Sequence, residues 1–376
     1  MTPKKTVLLL LGLTLVFSPI VISGDNKIQE NTAQLSSNSW HFITLGDSRQ
    51  QSGEWDDEND KFTHENSSNP TRAALITSVV ENNPNMEFII HTGDLVSSGG
   101  EQDDWNRYYE DIENATKANV TFYYAIGNHE RYTYALGPST YGPSEEDYST
   151  YLANVELPGN ERYYSLDYMN QIHFVFINTE EDWTGTFEIK TDQYNWLIND
   201  LESNTLEFIV AVFHRPSYSV RSSSRVYDAQ AIRTVLEPIL IEYGVDLVFS
   251  GHDHYYYRTI RNNITYVTTG GAGADLYTNG DISEWQDSDV YFSDFHYCNI
   301  TVTESAGNVS TDIDVFLFNE IDRSITLRDS FSVTSSINDE TTTTETSSST
   351  SHEKTTVFSF TVFLGILPLL ITRKHK

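Results

Sequence analysis

Apolar and polar positions along the middle of this chain follow two periods, which predicts β-strands alternating with α-helices. Four short runs are apolar and β-prone, and each is followed closely by a polar segment. The runs are Phe42–Leu45, Phe88–Ile90, Phe208–Phe213 and Val245–Phe249. We interpret them as buried strands whose carboxyl ends carry polar loops.

Other segments have helical spacing. Asn69 can cap a helix that has Pro70 at its first position. A second helix is predicted at about Asp192–Ser203. A third follows Asp228, where apolar residues recur three and four positions apart until Gly244 ends the pattern.

The later part of the chain is richer in strands. A hairpin is predicted from Tyr163–Tyr168 and Ile172–Ile177, and further strands from Ile264–Thr269, His296–Val302 and Asp312–Phe318. Helix-linked strands together with β-rich stretches are typical of an α/β fold. We therefore predict an α/β domain with two packed mixed β-sheets flanked by helices.

Composition limits the partners of this protein. The 376 residues carry a formal net charge of −31, from 23 Lys+Arg and 54 Asp+Glu. This acidity argues against nucleic acid or an anionic lipid surface as the main partner. An anionic substrate would need local positive charge, which metal ions could supply. The single cysteine, Cys298, excludes an intrachain disulfide.

Both ends carry segments that predict export and anchoring. Residues 1–24 resemble a signal peptide, and an uncleaved anchor is the alternative. Residues 332–356 are rich in Ser, Thr and Glu and predict a disordered stalk. Residues 357–372 are apolar and precede the basic residues 373–376, which predicts a C-terminal transmembrane anchor and a short cytoplasmic tail. We therefore expect a catalytic domain at 38–331 on the extracellular face of the cell membrane.

Triplets of the Asn-x-Ser/Thr type are acceptor sequences for glycans in an exported protein. Six of them occur, at Asn66, Asn114, Asn119, Asn263, Asn299 and Asn308. Such triplets are also common by chance, so each is a weak signal by itself.

Five short polar segments, at 46–49, 93–94, 127–130, 213–216 and 251–254, carry the candidate chemistry. Two metal ions about 3.5–4 Å apart need a bridging carboxylate and further oxygen and nitrogen ligands. The segments supply such a set, which consists of Asp47, Asp94, Asn128, His214, His252 and His254. Glycine precedes four of these residues, where it would let the backbone turn tightly. The ligand types suit zinc, manganese or iron.

In this order, the five segments resemble those of the calcineurin-like metallophosphoesterases, most closely the branch of purple acid phosphatases and their microbial relatives. The similarity covers about Phe42–Ala274 and includes the segments 194–197, 245–250 and 269–271. The resemblance implies a four-layer sandwich, a metal site at the carboxyl ends of the strands, and two divalent or trivalent metal ions.

The resemblance also implies individual roles. Asp94 would bridge both metal ions, and His129 would lie over the scissile phosphate and stabilise it or protonate the leaving oxygen. The remaining ligands would be Asp47 and His254 for the first ion, and Asn128, His214 and His252 for the second.

Two positions depart from the family pattern. Arg49 stands where most relatives have a histidine ligand, and a guanidinium is not an ordinary metal ligand. We interpret Arg49 as a fixed cation that binds the substrate phosphate; a weakened first metal site or a salt bridge to an acidic neighbour are the alternatives. Ser97 stands where purple acid phosphatases have the tyrosine that gives their colour, so a colourless enzyme is expected.

Three arginines after the fourth segment, Arg215, Arg221 and Arg225, could bind phosphate or pair with surface carboxylates. We expect Arg215 to contact the substrate. The tyrosines at 255–257 could line the pocket or belong to the core.

The predicted function is hydrolysis of phosphate monoesters by attack of a metal-bound hydroxide, with His129 and Arg49 as catalytic groups. A phosphodiesterase or nucleotidase would use the same ligands. A non-catalytic cell-surface binding module is the alternative from another class. The expected partner is a small phosphorylated substrate, without nucleic acid, and the sequence does not define the oligomeric state.

Overall fold

The computed structural model describes residues 38–49, 54–56, 61–63, 69–131, 148–181 and 191–335. These residues form two large β-sheets that pack face to face, with helices on the outer side of each. A separate two-stranded ribbon pairs β2 (Glu54–Asp56) with β3 (Lys61–Thr63). The predicted fold class, an α/β domain with two packed mixed sheets, is confirmed.

The first sheet has six strands. In chain order they are β1 (Asn38–Leu45), β4 (Phe88–His91), β5 (Thr121–Tyr124), β13 (His296–Ser305), β14 (Asn308–Phe318) and β15 (Ile325–Thr334). Their order across the sheet is β15-β14-β13-β1-β4-β5. β1, β4 and β5 are parallel, whereas β13 runs antiparallel to β1. The carboxyl ends of three parallel strands therefore lie at one edge.

The second sheet has seven strands. They are β6 (Tyr164–Tyr168), β7 (Ile172–Ile177), β8 (Phe208–Phe213), β9 (Leu247–Ser250), β10 (Tyr256–Arg261), β11 (Ile264–Thr269) and β12 (Val290–Phe292), in the order β12-β10-β11-β9-β8-β7-β6. Its centre, β7 to β9 and β11, is parallel. β8 is buried at every position, as expected of a parallel strand covered on both faces.

Six α-helices cover or connect the sheets within the described residues. They are α1 (Pro70–Asn82), α2 (Gln102–Asp111), α3 (Glu113–Lys117), α4 (Ser149–Asn154), α5 (Thr191–Ser203) and α6 (Ser223–Glu242). Asn69 caps α1 as predicted, because its side chain accepts a hydrogen bond from the Arg72 N–H at 3.0 Å. α6 begins earlier than predicted, since the Ser222 side chain caps its first turn.

Three apolar clusters hold these layers together. The central cluster lies between the sheets and joins, among others, Phe42 and Phe88 of the first sheet to Phe174 and Phe249 of the second. A second cluster packs α5 and α6 on the seven-stranded sheet, and a third packs α1 and α2 on the six-stranded sheet. The layer order is therefore helix, sheet, sheet, helix.

The predicted termini lie almost entirely outside the described residues. This holds for the signal peptide at 1–24, the anchor at 357–372, the tail at 373–376 and most of the stalk at 332–356. At the domain end, β15 continues to Thr334, beyond the predicted boundary at 331. Within the part of the chain that the structure describes, no helix is both long and apolar enough to cross a membrane.

Candidate metal centre

Five loops meet at the carboxyl ends of strands from both sheets. The loops after β1, β4 and β5 come from the six-stranded sheet, and those after β8 and β9 from the seven-stranded sheet. They bring together all six predicted metal ligands, Asp47, Asp94, Asn128, His214, His252 and His254. All six side chains are buried. The sequence pattern did not predict β5, because only its last residue is buried and the strand therefore lacks a continuous apolar run.

Several residues in these loops have unusual backbone geometry. The φ angle is 57° at Asp47, 58° at Asp94 and 69° at His252. This left-handed conformation is uncommon outside glycine and carries strain that the surrounding structure must offset. Of the four preceding glycines, only Gly93 has positive φ. A Cβ on Gly251 would lie 2.4 Å from Asp47 Oδ2, so that glycine permits close approach instead of the predicted tight turn.

The buried Glu130 carboxylate fixes the loops after β4 and β5. It accepts hydrogen bonds from the backbone N–H groups of Asp94, Leu95 and Gly127, at 2.9, 2.8 and 2.7 Å. Burial and the neighbouring Asp94 carboxylate raise the pKa of Glu130 to about 8. Glu130 was not among the predicted site residues, although its place in the third polar segment was a visible signal.

Asp47, Asp94 and His254 form the first candidate metal site. One ligand atom of each lies within 4.8 Å of the others. His254 Nε2 is 3.4 Å from Asp47 Oδ1, and its Nδ1 is 2.7 Å from the carbonyl oxygen of Asp275. Because only an N–H can pair with a carbonyl oxygen, Nδ1 carries the proton and Nε2 can offer its lone pair to a metal ion.

Asp94, His214 and His252 form the second candidate site, so Asp94 is common to both. His214 Nδ1 is 2.9 Å from the carbonyl oxygen of Thr92, which assigns the Nδ1 proton in the same way. His214 Nε2 then faces three groups, Asp94 Oδ1 at 3.3 Å, Asn128 Oδ1 at 3.2 Å and His252 Nδ1 at 3.2 Å.

The donor set fits metal ions, because several lone pairs converge on each site and a cation would satisfy them together. Burial by itself lowers the pKa of His214, but Asp94, Asp47 and Glu180 outweigh it and raise this pKa to about 10. Burial likewise raises the pKa of Asp94, but His214 and His129 hold it well below its usual value.

His129 lies beside the shared carboxylate without belonging to either site. Its backbone N–H donates to Asp94 Oδ1 at 3.0 Å, and its Nδ1–H donates to the carbonyl oxygen of Ser97 at 2.7 Å. Nε2 lies 3.9 Å from Asp94 Oδ2. Burial lowers the pKa of His129 to about 3, so the ring is neutral at pH 7 and turns its Nε2 lone pair toward the site.

Arg49 brings fixed positive charge to the first site. Its backbone N–H donates to the carbonyl oxygen of Asp94 at 2.9 Å, and its guanidinium hydrogen-bonds the Tyr277 hydroxyl. Burial lowers the pKa of Arg49, but Asp94, Tyr277 and Asp47 raise it above its ordinary value, so the group stays charged. A guanidinium has no lone pair to offer a metal ion, so Arg49 is not itself a ligand of the first candidate site.

Arg215 was predicted to contact the substrate, but in the structure its guanidinium pairs with a buried carboxylate. It is buried and forms a bidentate pair with Glu180, from Nε to Oε1 at 2.8 Å and from Nη2 to Oε2 at 2.9 Å. Its Nη1 lies 3.1 Å from His252 Nε2. With its fork paired to Glu180, Arg215 holds the His252 ring in place. No sequence signal pointed to Glu180.

The other candidates after the fourth segment also have partners. Arg225 Nε lies 3.6 Å from Asp253 Oδ1, so its partner is a buried carboxylate, whereas the predicted alternative was a surface carboxylate. The Arg221 guanidinium lies over the Tyr277 ring. The tyrosines at 255–257 are all buried and belong to the packed apolar clusters, which was one of the two predicted alternatives for them.

Comparison with known proteins places this geometry in a family. The family model for calcineurin-like phosphoesterases matches residues 41–256, more than half of the chain. Purple acid phosphatase 23 of Arabidopsis thaliana is 29% identical over 231 residues, covering 59% of this chain and 44% of that protein. Probable inactive purple acid phosphatase 9 of the same plant is 32% identical over 210 residues, covering 47% of this chain and 30% of that protein. The chain thus matches less than half the length of either relative.

Solved structures show the same fold. Purple acid phosphatase PPD1 from yellow lupin (Lupinus luteus) seeds superposes with a TM-score of 0.59 at 21% identity, covering 78% of this chain and 53% of that one. GAP50, the anchor in the inner membrane complex of Plasmodium, has a TM-score of 0.51 at 17% identity and covers 79% and 89%. With its fold, its clustered ligands and its matched family model, the chain belongs to the calcineurin-like phosphoesterase family.

Proposed function

We propose that this protein hydrolyses phosphate monoesters at a two-metal centre. One observation carries the proposal: two buried ligand groups share Asp94, and His129 stands beside that shared carboxylate. Asp47 and His254 would hold one ion, and Asn128, His214 and His252 the other. Two bound ions supply Lewis acidity and a nucleophile at neutral pH.

The other residues of this chain would bind and orient the substrate. Arg49 offers a charged fork to the phosphate oxygens at the edge of the first site. His129 turns Nε2 toward the same place, held by its Nδ1–H bond to Ser97. The ring is neutral before substrate binds. Proton donation by His129 therefore needs the negative charge of the bound phosphate, since an adjacent anion favours the imidazolium form.

Two alternatives differ in their consequences. A phosphodiesterase or nucleotidase would use the same ligands with a different choice of ester. A non-catalytic cell-surface binding module is favoured by Arg49 in a ligand position and by a relative whose name reads probable inactive. Against it, the structure brings all six predicted ligands together.

The test is metal content measured beside hydrolysis of an aryl monoester and an aryl diester by the full chain. We expect about two metal ions per chain and monoester cleavage that stops on chelation and returns when zinc or manganese is added back. Preference for the diester would move the assignment to a phosphodiesterase. If the protein binds metal but hydrolyses neither ester, the assignment changes to the non-catalytic binding module.

We also propose that the domain acts on the extracellular face of the cell membrane, on small phosphorylated substrates. This rests on the signal-like segment 1–24 and the apolar segment 357–372. Protease treatment of intact cells tests it: the domain should be released from the surface. If the protease cleaves the chain only after the cells are lysed, the proposed location is contradicted.

A further inference from the structure

Tyr277 lies in the loop between β11 and β12, and its backbone is hydrogen-bonded to a residue of the candidate metal centre. Its N–H donates to the carbonyl oxygen of His254 at 2.8 Å. Its own carbonyl oxygen accepts from Ser293 Oγ at 2.7 Å and from the Tyr291 hydroxyl at 3.3 Å. The loop is therefore fixed where it passes the first candidate site.

Both faces of the Tyr277 ring are covered. The His254 imidazole stacks on it with ring centres 3.9 Å apart and planes at 12°. The Arg221 guanidinium carbon lies 3.2 Å from the ring centre. One ring face cannot hold both groups at such distances, so they lie on opposite faces. Tyr277 consequently has no open face on which a substrate ring could stack.

The edge of the same ring reaches Arg49. The Tyr277 hydroxyl hydrogen-bonds the Arg49 guanidinium, beside Asp94 and Asp47. Tyr277 thus touches a predicted metal ligand with its face and the predicted phosphate-binding cation with its hydroxyl. Arginine side chains have much rotational freedom, so a fixed partner decides where the guanidinium is held.

We propose that Tyr277 is a positioning residue, which sets the plane of His254 for metal binding through its ring and the place of Arg49 for phosphate binding through its hydroxyl. Arg221 closes the outer face of the stack and keeps the ring in place. The phosphate part of this inference rests on the proposed function, whereas the metal part stands on the His254 contact.

Two substitutions separate the two roles of Tyr277. Tyr277→Phe removes the hydroxyl and keeps the stack, whereas Tyr277→Leu removes both. Tyr168→Phe is the matched control, because Tyr168 is also half-buried, packs on aromatic rings and hydrogen-bonds a charged group, Glu87, at 2.7 Å. Glu87 precedes β4, so this pair lies at the opposite end of the strands from the metal centre.

The measurements are calorimetric titrations of the full chain, first with Mn²⁺ alone and then with inorganic phosphate on the metal-loaded protein. Tyr277→Phe should bind Mn²⁺ like the wild type and phosphate about tenfold more weakly, near the value of one hydrogen bond to a charged group. Tyr277→Leu should also weaken Mn²⁺ binding at one of its two sites. If the enzyme turns over, Tyr277→Phe should raise KM and leave kcat nearly unchanged.

Some outcomes would overturn the inference. Phosphate affinity of Tyr277→Phe equal to that of Tyr168→Phe would remove the role of the hydroxyl, as would a wild type that binds metal but no phosphate. Unchanged Mn²⁺ binding in Tyr277→Leu would remove the role of the stack. A wild type that binds both ligands but cleaves no ester would contradict only the proposed function, because both affinities remain measurable.

Discussion

At the scale of single residues, this site depends on which atom of each ring faces its centre. The Nδ1 atoms of His214, His254 and His129 donate to carbonyl oxygens, which leaves Nε2 of each for the site. Such partners orient a ring and select its tautomer. The residue types predicted a metal site. The carbonyl partners fix the tautomer of all three rings, and the spacing of the donor atoms then divides them, because His214 and His254 belong to the two candidate ligand groups and His129 does not.

His129→Ala tests that division. The substitution keeps the backbone N–H that donates to Asp94 and removes only the ring. We expect metal content near that of the wild type and kcat lower by about two to four powers of ten, the usual reach of acid–base groups. Metal analysis and steady-state kinetics check this. Loss of both metal ions would instead make His129 part of the binding framework.

A second residue, His173, predicts pH dependence away from the site. Its Nδ1 lies 2.7 Å from Asp167 and its Nε2 3.0 Å from Asp200. Burial lowers the pKa of His173, but Asp200 and Asp167 outweigh it and raise this pKa above its ordinary value of 6.5. The pairing of protonated His173 with the two aspartates therefore stabilises the fold fully below about pH 6.5. This stabilisation is lost as the pH rises through the pKa of His173 in the folded state.

His173→Gln should accordingly lower the free energy of unfolding more at pH 5.5 than at pH 9.5. At the lower pH we expect the free energy of unfolding to fall by about 1–2 kcal/mol, because the substitution removes hydrogen bonds between charged groups. The figure is at the low end because Asp167 is largely exposed to solvent. Urea unfolding of both proteins at the two pH values gives the difference. An equal loss of unfolding free energy at the two pH values would mean that His173 is neutral at both.

At the scale of strands and loops, close backbone approach shapes the site. Gly251 is the first residue after β9, and a Cβ there would meet Asp47 Oδ2 at 2.4 Å. Gly244, at the end of α6, has a φ of 67° and nothing within 4 Å of such a Cβ. The first glycine is required by a neighbouring carboxylate and the second by its own backbone conformation.

These two glycines form a matched pair. Gly251→Ala should weaken metal binding at least about tenfold, because the added methyl displaces a predicted ligand. Gly244→Ala should cost about 1–2 kcal/mol of stability, the usual strain of a left-handed residue, and leave metal binding unchanged. Metal titration and urea unfolding of both variants check this. Normal metal affinity in Gly251→Ala would show that the Asp47 loop can move.

At the scale of the whole molecule, the metal centre joins the two sheets. Asp47, Asp94 and Asn128 follow strands of the six-stranded sheet, whereas His214, His252 and His254 follow strands of the seven-stranded sheet. Ions bound between them would connect the halves of the sandwich at its functional end. Metal binding should therefore stabilise the domain as well as activate it.

Thermal unfolding of the full chain tests this coupling. At a free metal concentration of about 100 Kd, stabilisation of about 2.7 kcal/mol is expected from one site. Tm should therefore rise on zinc or manganese addition and fall on chelation. Asp94→Asn, which alters the carboxylate common to both sites, should lose most of this shift. A Tm that is insensitive to metal would show that the sheets hold together without it.

Much of this protein could be predicted from local pattern. Parallel strands read as continuous apolar runs, and the residues just after them were expected at one edge of the sheets. All six predicted ligands do meet there. The pairing of Arg215 with Glu180 could not be read in this way, since an arginine beside a predicted metal ligand has the same sequence signature whether it faces substrate or a buried carboxylate.

The sequence alone determined the fold class and the strand ends at which the six candidate ligands lie, because these follow from short-range periodicity and side-chain chemistry. The tertiary structure decided which groups are paired. Glu180 holds Arg215 from 35 positions away, and the His252 N–H donates to Asp47 from 205 positions away. Such contacts depend on how distant loops pack and leave no local pattern in the chain.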